Sequence, residues 1–279
     1  MNPISYGTKI CRNPEAALKK EWREETDSGA YAASSILGAN TQLDHGLLVI
    51  PSAVPNKNKF IVLLSALEET LFIGENAFNL STRVHADSVY PKGFEHLEHF
   101  YKLPFPTWVF RVEGLTLVKM VLMISGENTA LIRYQLLSSY GDYVRLEIRP
   151  IVAFRGTKEV GARRRAAPSL RATKQVIHIE SSNKCPGLYV SHNAGVVDRT
   201  GIWFNGLRCF KEGSSSLYRE EDLYSPCSLH YAFLKEDGVY LAASTSQIRK
   251  FDPFLVGVKE KNKRKNKQEL PSRKDNPSN

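Results

Sequence analysis

The chain has 279 residues, 42% of them hydrophobic and 24% charged, a composition that excludes a disordered chain. Its length accommodates one large β domain or two small ones. The net charge of +9 resembles a nucleic-acid signature until it is located: residues 257–279 hold eight Lys/Arg against three Asp/Glu, so +5 lies in the tail and +4 on the other 256 residues.

In chain order, residues 1–11 lack a basic stretch followed by an apolar one, so no secretory signal is read there. No apolar run reaches the ~18 residues that a membrane span needs, and a cytoplasmic address follows. Residues 13–22 carry a capping Asn13, Pro14 at the first helical position, acidic Glu15, and Leu18 and Trp22 four apart; this predicts a short helix, with Trp22 as packing. Nearly everything beyond reads as strand, because apolar residues recur with period two between Gly, Asn and Asp breaks. Glu113-Gly114 is the turn joining strand 107–112 to strand 115–124, which is apolar on both faces apart from Thr116 and Lys119, as in a covered central strand. Strand 129–137 and strand 143–150, with Val144, Leu146 and Ile148 on one face, are expected to be antiparallel neighbours across the short link 138–142. From 156 to 174 the alternation stops, and Arg163, Arg164, Arg165 and Arg171 mark a long basic loop. Asp237-Gly238 predicts a hairpin between 229–234 and 239–243. The Lys-rich tail is too polar to offset the entropy of ordering and is expected to be disordered.

Glycosidic cleavage needs two carboxyl groups about 5 to 9.5 Å apart across the bond. Glu68 and Glu69, if extended, point to opposite faces and read as structural. Glu95 and Glu98, with His96 and His99, form a weak metal pattern; no metal is expected. Glu220, Glu221 and Asp222 read as the cap of a turn or, alternatively, as sugar ligands. No G-x-S-x-G elbow, G-x-G-x-x-G fingerprint or Walker loop occurs, so no cofactor is expected. Cys11, Cys185, Cys209 and Cys227 are widely spaced and read as reduced, mostly core residues. Trp108, Trp203, Tyr189 and Tyr224 are candidate sugar platforms, against the ordinary reading that aromatics fill a core.

Seven stretches form an ordered set: Gly38-Ala39-Asn40-Thr41 followed by His45-Gly46-Leu47-Leu48-Val49, then Leu64 to Glu69, Pro104 to Trp108, Gly126 to Thr129, Leu146 to Pro150, Leu188 to Asn193 and Glu221 to Pro226. Taken together they resemble, in the same order, the amino-terminal domain of bacterial and archaeal glycogen debranching enzymes, the amylo-α-1,6-glucosidase type, the first stretch being the most specific. The resemblance runs from about Ile10 to Ser244 and implies a β-supersandwich that in the family precedes an (α/α)6 barrel holding the catalytic acids. Only 35 residues follow Ser244, too few for twelve helices of about 11 to 12 residues each. Gln42 and Asp44, the segment Thr26 to Tyr31, and Arg155-Gly156-Thr157-Lys158 depart from the family pattern.

The expectation is therefore a mainly β chain: a large antiparallel β-supersandwich over residues 1–256 with a short amino-terminal helix, and a disordered tail over 257–279. The resemblance implies an accessory domain, non-catalytic alone, that binds α-glucan or docks on a separately encoded (α/α)6 barrel. Asn40, His45, Trp108 and His192 are the candidate substrate-binding residues, being polar or stacking groups inside matched stretches. Two alternatives stand beside it: a protein that uses the basic tail and the 163–174 loop on nucleic acid or another anionic partner, and a decayed gene product whose frame was lost near Phe251.

Overall fold

The structure, a computed structural model, describes residues 4–53, 59–137, 143–161, 166–183, 185–210, 218–233, 238–247, 252 and 256–263. Two large antiparallel sheets pack face to face. In one, nine strands lie in the order Ile4–Gly7, Leu97–Lys102, Pro106–Val112, Leu115–Met123, Thr129–Leu136, Val239–Ser244, Leu188–His192, Val176–Glu180 and Ser169–Ala172. The path of the ten-stranded sheet runs Val196–Asp198, Ser228–Ala232, Val144–Gly156, Phe60–Ile73, Gly46–Pro51, Tyr31–Ser35 and Glu21–Glu25. Asn76–Asn79 pairs with Phe60–Ile73, and the strands Ile202–Phe210 and Tyr218–Ser225 attach to Val144–Gly156. The supersandwich is as expected.

The period-two pattern explains the layers. In Val144–Gly156, Val144, Leu146 and Ile148 are buried while Arg145, Glu147 and Arg149 are half-buried, and they pair across with Ile73, Leu71 and Glu69. The inner faces of both sheets close one core, in which Leu48, Leu63, Leu71, Leu117, Ile132, Leu146, Ile177 and Leu241 are sealed from solvent. A smaller apolar cluster, Phe105, Leu122, Ile124, Leu131 and Ala242, covers the back of the nine-stranded sheet. Leu115–Met123 is thus covered on both sides over its second half.

The hairpin at Glu113-Gly114 is present, with φ of 45° and 79° at its two central residues, the positive values that a two-residue turn demands. Four local expectations need correction. The helix is Pro14–Leu18, capped by Asn13 Oδ1 accepting from Ala16 N at 3.1 Å; Trp22 belongs to strand Glu21–Glu25, where alternate burial replaces helical spacing. Thr129–Leu136 and Val144–Gly156 are not neighbours, since the former pairs with Leu115–Met123 and Val239–Ser244 in one sheet and the latter lies in the other. Ser228–Ala232 and Val239–Ser244 are likewise divided between the sheets, so the chain crosses the sandwich where a hairpin was expected; Asp237 lies outside the described residues. Within the expected basic loop, Ser169–Ala172 is the edge strand of the nine-stranded sheet, and Arg163 to Arg165 lie outside the described residues.

Of the expected disordered tail, 257–263 lies in a helix that spans 256–263. Val256 packs against the smaller apolar cluster, and the buried carboxylate of Glu260 accepts from Ser125 Oγ at 2.7 Å. Residues 264–279 lie outside the described residues. Among the described residues no helix is long and apolar enough to cross a membrane.

Candidate functional site

The stretches quoted above converge on the segment 36–49 and the strands around it. Asn40 ties that segment to the centre of the ten-stranded sheet: its Oδ1 accepts from Ser34 Oγ at 2.9 Å, and its Nδ2 donates to the carbonyl and hydroxyl oxygens of Ser65 at 3.0 and 2.9 Å. Thr41 N donates to Nδ1 of buried His45 at 3.2 Å, and Thr41 Oγ1 donates to Glu21 Oε1 at 3.2 Å. His45 Nε2 is 3.6 Å from that same oxygen. Burial lowers the His45 pKa, against the opposing pull of the Glu21 and Asp44 carboxylates. Gly46 admits no side chain, because a Cβ there would meet Val62 Cγ1 at 2.8 Å and the Leu64 carbonyl oxygen at 3.0 Å.

Behind Asn40, on the outer face of the ten-stranded sheet, lies a cavity of about 40 Å3 whose polar border is made by Asn40, Ser65, Glu68, Arg83, Arg208 and Glu221. Its two carboxylates are both answered by arginine. Glu68 is paired with Arg83, whose guanidinium also lies 4.7 Å from the Phe204 ring centroid. Glu221 is gripped by Arg155 through two parallel bonds, Nε to Oε2 at 2.7 Å and Nη2 to Oε1 at 3.0 Å, and Oε2 also accepts from Gly161 N at 3.1 Å. Arg155 Nη1 adds a bond to the Leu43 carbonyl at 2.7 Å. A register shift after Val152 and a φ of 46° at Phe154 form the bulge immediately before Arg155. Such a cavity holds one or two waters, far below the ~300 Å3 at which small-molecule sites begin.

The inner face carries a second charged cluster. Lys119 Nζ is 2.6 Å from Glu69 Oε1, Tyr134 donates to that same oxygen, and all three residues are buried. Trp108 lies against them with its ring 5.3 Å from Lys119 Nζ, and its indole N–H donates to the Ile36 carbonyl at 2.6 Å. Edge contacts to Trp22 and Phe100, at 5.3 and 5.0 Å, complete its surroundings. The adjoining void of about 20 Å3 takes a single water.

Of the four candidate residues, Asn40, His45 and Trp108 thus meet around the segment 36–45, with His45 and Trp108 buried. His192 lies four strands from that of Trp108, buried, its Nδ1 accepting from Ala194 N at 3.2 Å. Burial lowers its pKa to about 4. Among the other aromatics, Tyr189 stacks on His178 at 4.1 Å, and Trp203 tilts against Tyr224 at 5.0 Å.

Glu68 and Glu69 diverge to opposite faces as expected, and both belong to ion pairs. Glu220 to Asp222 lie inside the strand Tyr218–Ser225 rather than in a turn. His96 ends a short 3-10 helix and His99 lies in the following strand, where its Nε2 is 2.8 Å from Ser5 Oγ. Among the described residues no group of three potential ligands could hold a metal. The four cysteines are free, and burial pushes the thiols of Cys11 and Cys209 up to about 11 and that of Cys227 up to about 12. Sequence reasoning missed Arg83, Arg155 and Lys119; only Lys119 left a signal, as the single charge within an apolar strand.

Residues 20–240 match the family model described as glycogen debranching enzyme N terminal. Matches among solved structures include a bacterial glucoamylase complexed with acarbose, 8% identical over 90% of this chain and 34% of that one, with a TM-score of 0.36. A protein from the human microbiome named as a kojibiose phosphorylase is 8% identical over 97% of this chain and 36% of that one, with a TM-score of 0.33. The chain spans about a third of the length of either. Among curated proteins, none matches.

Proposed function

This chain belongs to the glycogen debranching enzyme N-terminal family, and from that premise we propose that it is a non-catalytic accessory domain of glycogen metabolism, one that binds α-glucan and leaves bond cleavage to a separate glycosidase. One observation supports the non-catalytic half. Three carboxylates inside the family's signature stretches, Glu68, Glu69 and Glu221, are each bound to a cation, and Glu68 and Glu69 face opposite sides of one sheet. A glycosidase instead needs two carboxyl groups facing a common bond. A separately encoded (α/α)6 barrel would supply that pair. Four free thiols fit a reducing cytoplasm as the place of action.

The test is affinity electrophoresis of the purified chain through a gel containing glycogen, alongside a reducing-sugar assay on the same branched glucan. Retarded migration with no released sugar is the expected result. Unretarded migration would remove the glucan-binding half, and sugar release would remove the non-catalytic half.

A further inference from the structure

We propose that the mouth of the sandwich, between the turn at Gly74-Glu75 and the turn at Glu113-Gly114, is where a glucosyl unit of the glucan sits; this rests on the glucan-binding reading above. The cleft has a volume of about 420 Å3, against about 40 Å3 beside Asn40 and about 20 Å3 in the core. Of these three, only the mouth falls within the ~300 to 1,000 Å3 range of small-molecule sites.

Its lining has two unequal sides. Ile73 and Phe78 from the ten-stranded sheet, with the edge of buried Leu115 from the nine-stranded one, supply the smaller, apolar side, while Glu75, Asn76 and Glu113 supply polar groups. A pyranose is amphipathic in the same way, with a C–H face that packs on apolar surface and a rim of hydroxyls. Carboxylates accept from those hydroxyls in charge-assisted bonds, and an amide both donates and accepts.

The polar groups are also available. Glu75, Asn76 and Glu113 are exposed, and among the described residues none of the three makes a side-chain hydrogen bond or ion pair. Their positions are nevertheless fixed by backbone. Glu113 is held at φ 45° in a two-residue hairpin between paired strands, and Asn76 opens the strand paired with Phe60–Ile73. Phe78 is braced edge-on by His96 at 5.8 Å.

The experiment is isothermal titration with maltohexaose of the full chain and of two variants. The first combines Glu75→Ala, Asn76→Ala and Glu113→Asn, asparagine being tolerant of positive φ; the second is Tyr189→Ala, on a different surface. Loss of one or two hydrogen bonds predicts weakening of at least about tenfold in the triple variant, with unchanged binding by Tyr189→Ala. Amide chemical shifts of the unmodified protein, titrated with the same sugar, should move first at 73–78 and 113–115, a readout independent of any variant's folding. Wild-type affinity in the triple variant, or shifts confined elsewhere, would overturn this site and leave the glucan-binding reading standing. A wild-type protein that ignores maltohexaose and glycogen alike would overturn both.

Discussion

The cavity beside Asn40 and the cleft at the mouth of the sandwich are both bordered by two carboxylates, yet they treat them in opposite ways. Beside Asn40, Glu68 and Glu221 lie against Arg83 and Arg155 around room for a water or two. At the mouth, Glu75 and Glu113 stand exposed over about 420 Å3. Signature residues such as Asn40, His45 and Glu221 close the fold, whereas the turn residues are spared that work. On this division, substitutions at the first region act on stability and substitutions at the second on binding.

The largest effect is expected at Glu221. Replacing it by alanine leaves the buried Arg155 guanidinium without its bidentate partner, and stranding a buried charge costs about 3 to 5 kcal/mol. Urea unfolding of Glu221→Ala measures it, and the double variant Arg155→Met/Glu221→Leu should recover part of the loss, since no charge is then stranded although the Leu43 carbonyl and the Gly161 N–H lose a partner. A loss under about 1 kcal/mol in the single variant would mean that water reaches the pair.

Next comes a pH effect at His192. Its folded-state pKa is lowered to about 4 by burial, while the unfolded imidazole titrates near 6.5. Between those values the unfolded state binds the proton and the folded state does not, so stability falls as pH drops from about 6.5 to about 4. At 1.36 kcal/mol per unit the whole window is worth about 3 kcal/mol. His192→Gln should flatten that part of the acid limb relative to the wild type, whatever its stability at pH 7. Parallel limbs would show that His192 is protonated before the protein unfolds.

Replacing Asn40 by alanine should cost less, about 1 to 3 kcal/mol, because it removes a neutral donor from buried Ser65 and an acceptor from Ser34. Thermal melts of Asn40→Ala and Asn40→Asp check this, the latter keeping only the acceptor. Glycogen affinity should follow the folded fraction in both; weakened binding by fully folded protein would make Asn40 a ligand contact as well.

How much of this was legible depended on whether the deciding contact was local. The Glu113-Gly114 hairpin was, because a two-residue turn with positive φ leaves its mark in adjacent residues. Asp237-Gly238 carried the same mark and misled: Leu229 faces the core from one sheet and Leu241 from the other, and alternation cannot tell which sheet a strand joins. The helix was placed but ran too far, since Trp22 at helical spacing from Leu18 is equally the inward residue of a strand. Glu260 looked like one more charge in a solvated tail because Ser125, which binds it, lies 135 residues earlier. For the site, the signature located the segment 36–49 but could not reveal that Arg83 and Arg155 consume the carboxylates. Those arginines are remote in sequence, and a bulge at Phe154 precedes one of them.

The smallest expected effect is the sharpest test of the division. Glu75→Ala and Asn76→Ala should each change unfolding free energy by no more than about 0.5 kcal/mol, the ordinary range for exposed positions that make no special contact. Their backbones are already committed, Asn76 pairing with Ile73 through the strand ladder, so truncating the side chain removes little that the fold uses. A loss approaching that of Asn40→Ala would mean that these groups hold the hairpin together, and the mouth would then be structural like the cavity. Near-zero change in stability together with weaker maltohexaose binding is the one combination that the fold's own needs cannot produce.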